Sequence, residues 1–180
     1  MKITKVTPIL CASRWMLVKV ETDAGITGWG ECGAWAWQTA TAEAVNILGS
    51  LLIDQDPFRI ERLWNSMTRT PHFRGIILQA AVSGIDIALW DIKGKALGVP
   101  VYELLGGKTR DKVRVYASVM HLTEDNQKLA EQYQQLQEMG FTAAKIFCNG
   151  PTSSTDGKGE FYSSRIEREV EKVRVCREAV

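Results

Sequence analysis

The stretch RGIILQAAVSGIDIALWDIKGKALGVPVYELLGG, Arg74 to Gly107, constrains the fold more than any other part of the chain. Ile77, Ala80, Ala81, Gly84, Ile85, Ala88, Leu89 and Ile92 recur at spacings of three and four, and the other faces carry few charges. That pattern predicts a helix buried on most of its circumference, a spine around which other elements must pack. Gly84 in its interior costs about 1 kcal/mol relative to Ala, so it marks a place where another backbone comes very close. Gly98 and Pro100 stop the helix, and a short apolar turn, Val101 to Leu105, ends at Gly106-Gly107.

The residues before the spine predict a small antiparallel sheet and two helices. Ile3, Val6 and Ile9 with Pro8 begin an edge-like strand, and WMLVKVET, Trp15 to Thr22, is a second strand with β-branched alternation. Asp23-Ala24-Gly25 is a turn signal, and ITGWGE, Ile26 to Glu31, returns as a third strand. Thr39 or Thr41 is placed to cap a helix carrying Ala44, Ile47, Leu48, Leu51 and Leu52 on one side, with Glu43 near its positive end. Asp56-Pro57 opens another helix, PFRIERLWNSM, with Phe58, Ile60, Leu63, Trp64 and Met67 inward. The order β-β-β-α-α-α reads as an α+β unit with helices on one face of a meander.

Beyond Gly107 strand and helix alternate. KVRVYAS, Lys112 to Ser118, is a strand; Leu129, Tyr133 and Leu136 mark a helix ending at Gly140; FTAAKIF, Phe141 to Phe147, is a second strand. After a polar loop from Asn149 to Ser164, Ile166, Val170, Val173 and Val180 mark another helix. Such alternation predicts a parallel sheet, doubly wound or closed into a barrel. Two parallel strands cannot bury themselves, whereas a complete barrel takes roughly 250 residues. The chain is therefore expected to be the N-terminal portion of a longer protein, or a truncated one.

Charge and composition exclude several classes of partner. Twenty-two basic against twenty-one acidic residues leave no net field for nucleic acid or an anionic membrane, and no Lys/Arg cluster is interleaved with aromatics. No apolar run reaches the roughly 18 residues that span a bilayer, and MKITKVTPIL lacks the apolar core of a signal peptide, so the cytoplasm is the expected compartment. Cys11, Cys32, Cys148 and Cys176 are scattered without CxxC spacing and read as small apolar residues.

Taken together, the meander with GWGE, the segment SGIDIALWDIKGKALGVPVYELLGG and the strand KVRVYAS resemble the enolase superfamily, in its mandelate racemase/muconate lactonizing enzyme branch, and within it the sugar-acid dehydratases. The resemblance covers essentially the whole chain and is most specific from Ser83 to Ser118. It implies an α+β capping domain over residues 1–107 with a linker to about 111, followed by the first βα units of a TIM-type barrel over residues 112–180. It also implies abstraction of the proton alpha to a carboxylate, with Mg2+ expected for the full-length protein. The family's metal ligands end the third, fourth and fifth barrel strands and would lie beyond Val180, so no metal ligand is expected within this chain. A small acid-sugar substrate and a homo-oligomeric full-length protein are the expected partners; the alternatives are a racemase of the same superfamily and a non-catalytic capping fragment.

Three groups of site residues follow. Lys145, near the end of the second barrel strand, is the candidate catalytic base, because TIM-barrel sites lie at the C-terminal face. Residues 143, 145 and 147 share a face there, and a lysine among small and apolar neighbours is costly unless paired or titrated down. Racemases of the branch carry Lys-x-Lys, whereas here Lys145-Ile146-Phe147 keeps only the first lysine, which favours a dehydratase. The substrate-binding candidates are Arg74 for a carboxylate, His72 for a hydroxyl, and Trp15 in the loop that begins at Cys11. GECGAWAW, Gly30 to Trp37, is a further lid candidate whose Trp35 and Trp37 read as core or lid packing, and His121 follows the first barrel strand. Asp86 and Asp91, about 140° apart on a helix, do not form one metal site and read as structural.

Overall fold

The computed structural model describes residues 1–11, 15–69, 75–118, 125–146 and 162–179. The chain divides into two compact units, Met1–Thr109 and Arg110–Val180.

The first unit is a meander wrapped by helices. Strands β1 (Ile3–Leu10), β2 (Met16–Thr22) and β3 (Thr27–Glu31) pair antiparallel in the order β1-β2-β3. Helices α1 (Gln38–Ser50), α2 (Ile60–Arg69), α3 (Ile76–Leu97) and the short α4 (Val101–Leu104) follow. Along β2, Met16, Val18, Val20 and Thr22 are buried and the residues between them half-buried, the alternation of a strand covered on one face. Met16, Val18 and Val20 meet Ala81, Val82, Ile85, Ala88, Leu89 and Ile92 of α3 in one core. The expected spine is that helix: only Gln79, Ser83 and Ile87 form an exposed stripe along it, apart from its ends. Gly98 closes it in the left-handed conformation at φ 69°, and the Val99 N–H bonds the Gly94 carbonyl at 3.0 Å.

The close approach expected at Gly84 is made by β3. A Cβ on Gly30 would lie 1.9 Å from the Gly84 carbonyl oxygen, and one on Gly28 would lie 2.1 Å from that of Ala88. Gly28 and Gly30, two residues apart and so on one face, let the strand lie directly on the helix backbone.

Two helix readings are corrected. Neither Thr39 nor Thr41 caps α1: Trp37 occupies the cap position, and the Thr41 hydroxyl donates to the Trp37 carbonyl at 2.9 Å. The inward face is Thr41, Val45, Leu48 and Gly49, which turns Ile47 and Leu51 outward, because successive residues are rotated by a full 100°. Asp56 does not open α2 directly. Its carboxylate accepts from the Phe58 N–H at 3.0 Å in a local turn, and the helix begins at Ile60. Ile60, Leu63 and Met67 are buried as expected, but Trp64 faces outward.

In the second unit, β4 (Ala117–Ser118) and β5 (Ala144–Lys145) pair in parallel, with α5 (Asn126–Glu138) between them and α6 (Tyr162–Glu178) after. Asp125 caps α5 by accepting from the N–H groups of Gln127 and Lys128 at 2.9 and 3.3 Å. The strands are shorter than the seven-residue runs expected, because a ladder needs a partner at each position. Before Ala117, the contact between the two runs includes the Arg114 guanidinium, which donates to the Thr142 hydroxyl and carbonyl. The helix expected over Ile166, Val170 and Val173 is present as α6. Ile166 and Val170 are 46% and 51% exposed, while Glu169, Lys172 and Cys176 are buried. The buried Glu169–Lys172 pair is 3.6 Å apart.

Candidate functional site

Lys145 is placed by its strand neighbours. Ile146 packs against Leu129, Tyr133 and Cys176, and Ala144 and Ile146 both line an open apolar groove of about 450 Å³ between β5 and the helices. Since side chains alternate along a strand, Lys145 projects from the opposite face of the two-stranded sheet, away from the helical layer. It is the last residue of β5 and stands opposite Ser118, the last residue of β4. Two polar side chains therefore sit together at the C-terminal ends of parallel strands, where this kind of sheet presents its chemistry. Lys145 is exposed here, so the desolvation argued for it from its apolar neighbours is not realised within this unit. Ser118 was not singled out from sequence; its signal was its position as the last residue of KVRVYAS.

In the first unit the aromatic candidates gather at one end of the sheet. Trp15 immediately precedes β2, and its carbonyl accepts from the Cys11 N–H at 3.1 Å. The Cys32 N–H bonds the Met16 carbonyl at 3.0 Å, which brings the segment after β3 to that same end. Trp35 and Trp37 follow on a turn in which Ala36 takes φ 67°, and they are 70% and 57% exposed. In this unit they are surface residues, and the core-packing reading of them is corrected: the tight turn ahead of α1 carries both rings off the core. Trp15 is 48% exposed. His72, Arg74, His121, Phe147 and Cys148 lie outside the described residues.

The remaining ionisable groups read as structure. Burial pushes the Cys32 thiol up to about 12, so it is no thiolate nucleophile, and Cys176 is buried beside Leu129 and Tyr133. Asp91 accepts from the Trp29 N–H and pairs with Lys95, the structural role expected of it. Asp86 is half-buried, and burial, then the charge of Glu61, raises its carboxyl above the usual range. Among the described residues no three His, Cys, Asp or Glu side chains are grouped to hold a metal ion. Among them, too, no helix is long and apolar enough to cross a membrane.

Residues 6–106 match the family model of the mandelate racemase / muconate lactonizing enzyme, N-terminal domain. The chain is 50% identical over 137 residues to a D-galactonate dehydratase of Variovorax paradoxus, covering 73% of this chain and 36% of that protein. A member of the enolase superfamily from Salmonella Typhimurium superposes with a TM-score of 0.87 at 34% identity, over 99% of this chain and 51% of that one. An enolase from Pantoea ananatis with bound D-gluconate and Mg gives a TM-score of 0.72 at 37% identity, over 79% of this chain and 35% of its own. The chain thus spans about a third of the length of the curated relatives it matches. It belongs to the mandelate racemase/muconate lactonizing enzyme branch of the enolase superfamily, of which it carries the N-terminal portion.

Proposed function

We propose that this chain is the N-terminal part of a divalent-metal-dependent sugar-acid dehydratase whose further barrel strands complete the site. The observation that carries the reading is Lys145, at the C-terminal end of β5 beside Ser118 and on the face turned away from α5 and α6. In a closed barrel that face is the interior. A lysine there is placed to meet an acid sugar at the carbon next to its carboxylate. Breaking that C–H bond and expelling the neighbouring hydroxyl as water leaves an enol, which becomes a 2-oxo acid. The identity to a D-galactonate dehydratase supports this chemistry over racemisation, and so does Phe147 at the position where two-base catalysis would need a second lysine. The exposed Trp15, Trp35 and Trp37, with His72 and Arg74, are the capping-domain groups proposed to meet the substrate. The metal would be held by carboxylates outside this chain, and the whole protein is proposed to be a cytoplasmic homo-oligomer.

The test uses the polypeptide extended through the remaining barrel strands, supplied with magnesium and a library of aldonic and aldaric acids. The expected result is loss of one water from a subset of the acids with appearance of a 2-oxo acid. Lys145→Met is expected to cut kcat by about 10²- to 10⁴-fold with the fold unchanged. No turnover of any acid, or an undiminished kcat in the folded variant, would overturn the reading.

A further inference from the structure

The free edge of β3 is already occupied, by side chains of the helix beneath it. With strand order β1-β2-β3, one side of β3 has no neighbouring strand among the described residues. On that side the Trp29 N–H donates to Asp91 Oδ2 at 2.9 Å, and the Thr27 carbonyl accepts from Lys95 Nζ at 2.9 Å. The two side chains are themselves paired at 2.6 Å, one helical turn apart on α3. In an extended strand the carbonyl of one residue and the N–H of the second residue on point to the same side, the pair that an added strand would engage. Asp91 supplies the acceptor and Lys95 the donor that such a strand would bring.

From this geometry we infer that Asp91 and Lys95 act as a surrogate fourth strand, closing the β3 edge against strand addition by a second copy of this chain. Exposed strand edges are templates for such pairing, and proteins commonly blunt them with charge, proline or covering segments. The other edge is managed in those ways too. Pro8 sits within β1, where it has no N–H to offer, and the Ile3 N–H and carbonyl bond the backbone at Gln55 and Asp54, each at 2.9 Å. The position of Gly28 and Gly30 makes the device possible. Because β3 lies directly on the α3 backbone, short reaches from Asp91 and Lys95 meet its edge. A consequence is that copies of this chain associate through surfaces other than the sheet edges.

The test combines sedimentation over a range of protein concentrations with amide hydrogen exchange at Thr27 to Glu31. In the parent chain the Trp29 amide is expected to be protected to the same degree at every concentration. The double variant Asp91→Ala with Lys95→Ala is expected to self-associate at least tenfold more tightly, with Trp29 protection that rises with concentration. Asp91→Asn keeps a carbonyl oxygen for the Trp29 N–H and is expected to associate like the parent. A folded double variant that behaves as the parent overturns the proposal, and so does an Asp91→Asn variant that associates as strongly as the double variant. Independently of how any variant folds, a parent Trp29 amide that exchanges like an unbonded one overturns it as well.

Discussion

The two units put similar apolar residues to opposite use. In Met1–Thr109 the meander and α3 bury Met16, Val18, Val20, Ile85, Leu89 and Ile92 completely, and the sheet's free edges are occupied by other parts of the unit. In Arg110–Val180 the apolar side chains of Val113, Val115, Ile166 and Val170 are exposed, while a glutamate and a lysine are buried. Local propensity does not separate them, since both regions have strand runs of alternating apolar residues and a helix with a clear cap, Gly98 after α3 and Asp125 before α5. The difference lies in topology. An antiparallel meander pairs neighbours in sequence and needs one covering layer, so about a hundred residues close it. Parallel strands need cover on both faces and strands on either side, so two of them leave apolar side chains exposed.

Variants that weaken one unit and spare the other sharpen this contrast. The largest effect is expected at Gly30, where a methyl group would overlap the Gly84 carbonyl and neither backbone has room to yield. Gly30→Ala should destabilise the first unit by about 3 kcal/mol or more in urea denaturation. Next comes Leu89→Ala, which empties a fully buried site and is expected to cost about 2–5 kcal/mol. Leu129→Ala, made in the small core of the second unit, should leave the unfolding free energy of the first unit within about 0.5 kcal/mol of the parent. A shared loss would show that the two cores are one.

The smallest effect is set by pH. Burial raises the Asp86 carboxyl above its unfolded value, so folding is favoured by that group below the unfolded pKa and loses this support as pH rises through the folded pKa. Asp86→Asn removes the buried charge. It should therefore raise Tm modestly at pH 7, and the gain should vanish on acidification below the carboxylate range. A gain that persists in acid would place the effect outside ionisation.

Much of the first unit could be read from residue order. The three-and-four spacing of α3, the turn at Asp23 to Gly25 and the Gly98 stop each act through a local rule, and Gly84 announced a close approach that the strand then makes. Which strand made it was legible only in part, because G-x-G on β3 says that one face is bare and not what lies on it. The inward face of α1 does not follow from residue order alone, because its five apolar residues span more than one face and packing against Val6 of β1 through Gly49 decides between them. The angle between Asp86 and Asp91 marks Asp91 as structural, yet its partner at Trp29 is a backbone group 62 residues away, which no spacing rule reaches. At Lys145 the strand parity was readable, and so was the face it occupies. Its surroundings were not, because they depend on contacts made in space by residues distant in sequence.

The contrast between a closed and an open unit is tested most directly by native-state hydrogen exchange along the chain. Amides of β2 and α3 are expected to exchange only through global unfolding of the first unit, while those around Ala117 and Ala144 exchange at least a hundredfold faster through local opening. Equal protection in the two units would contradict the account.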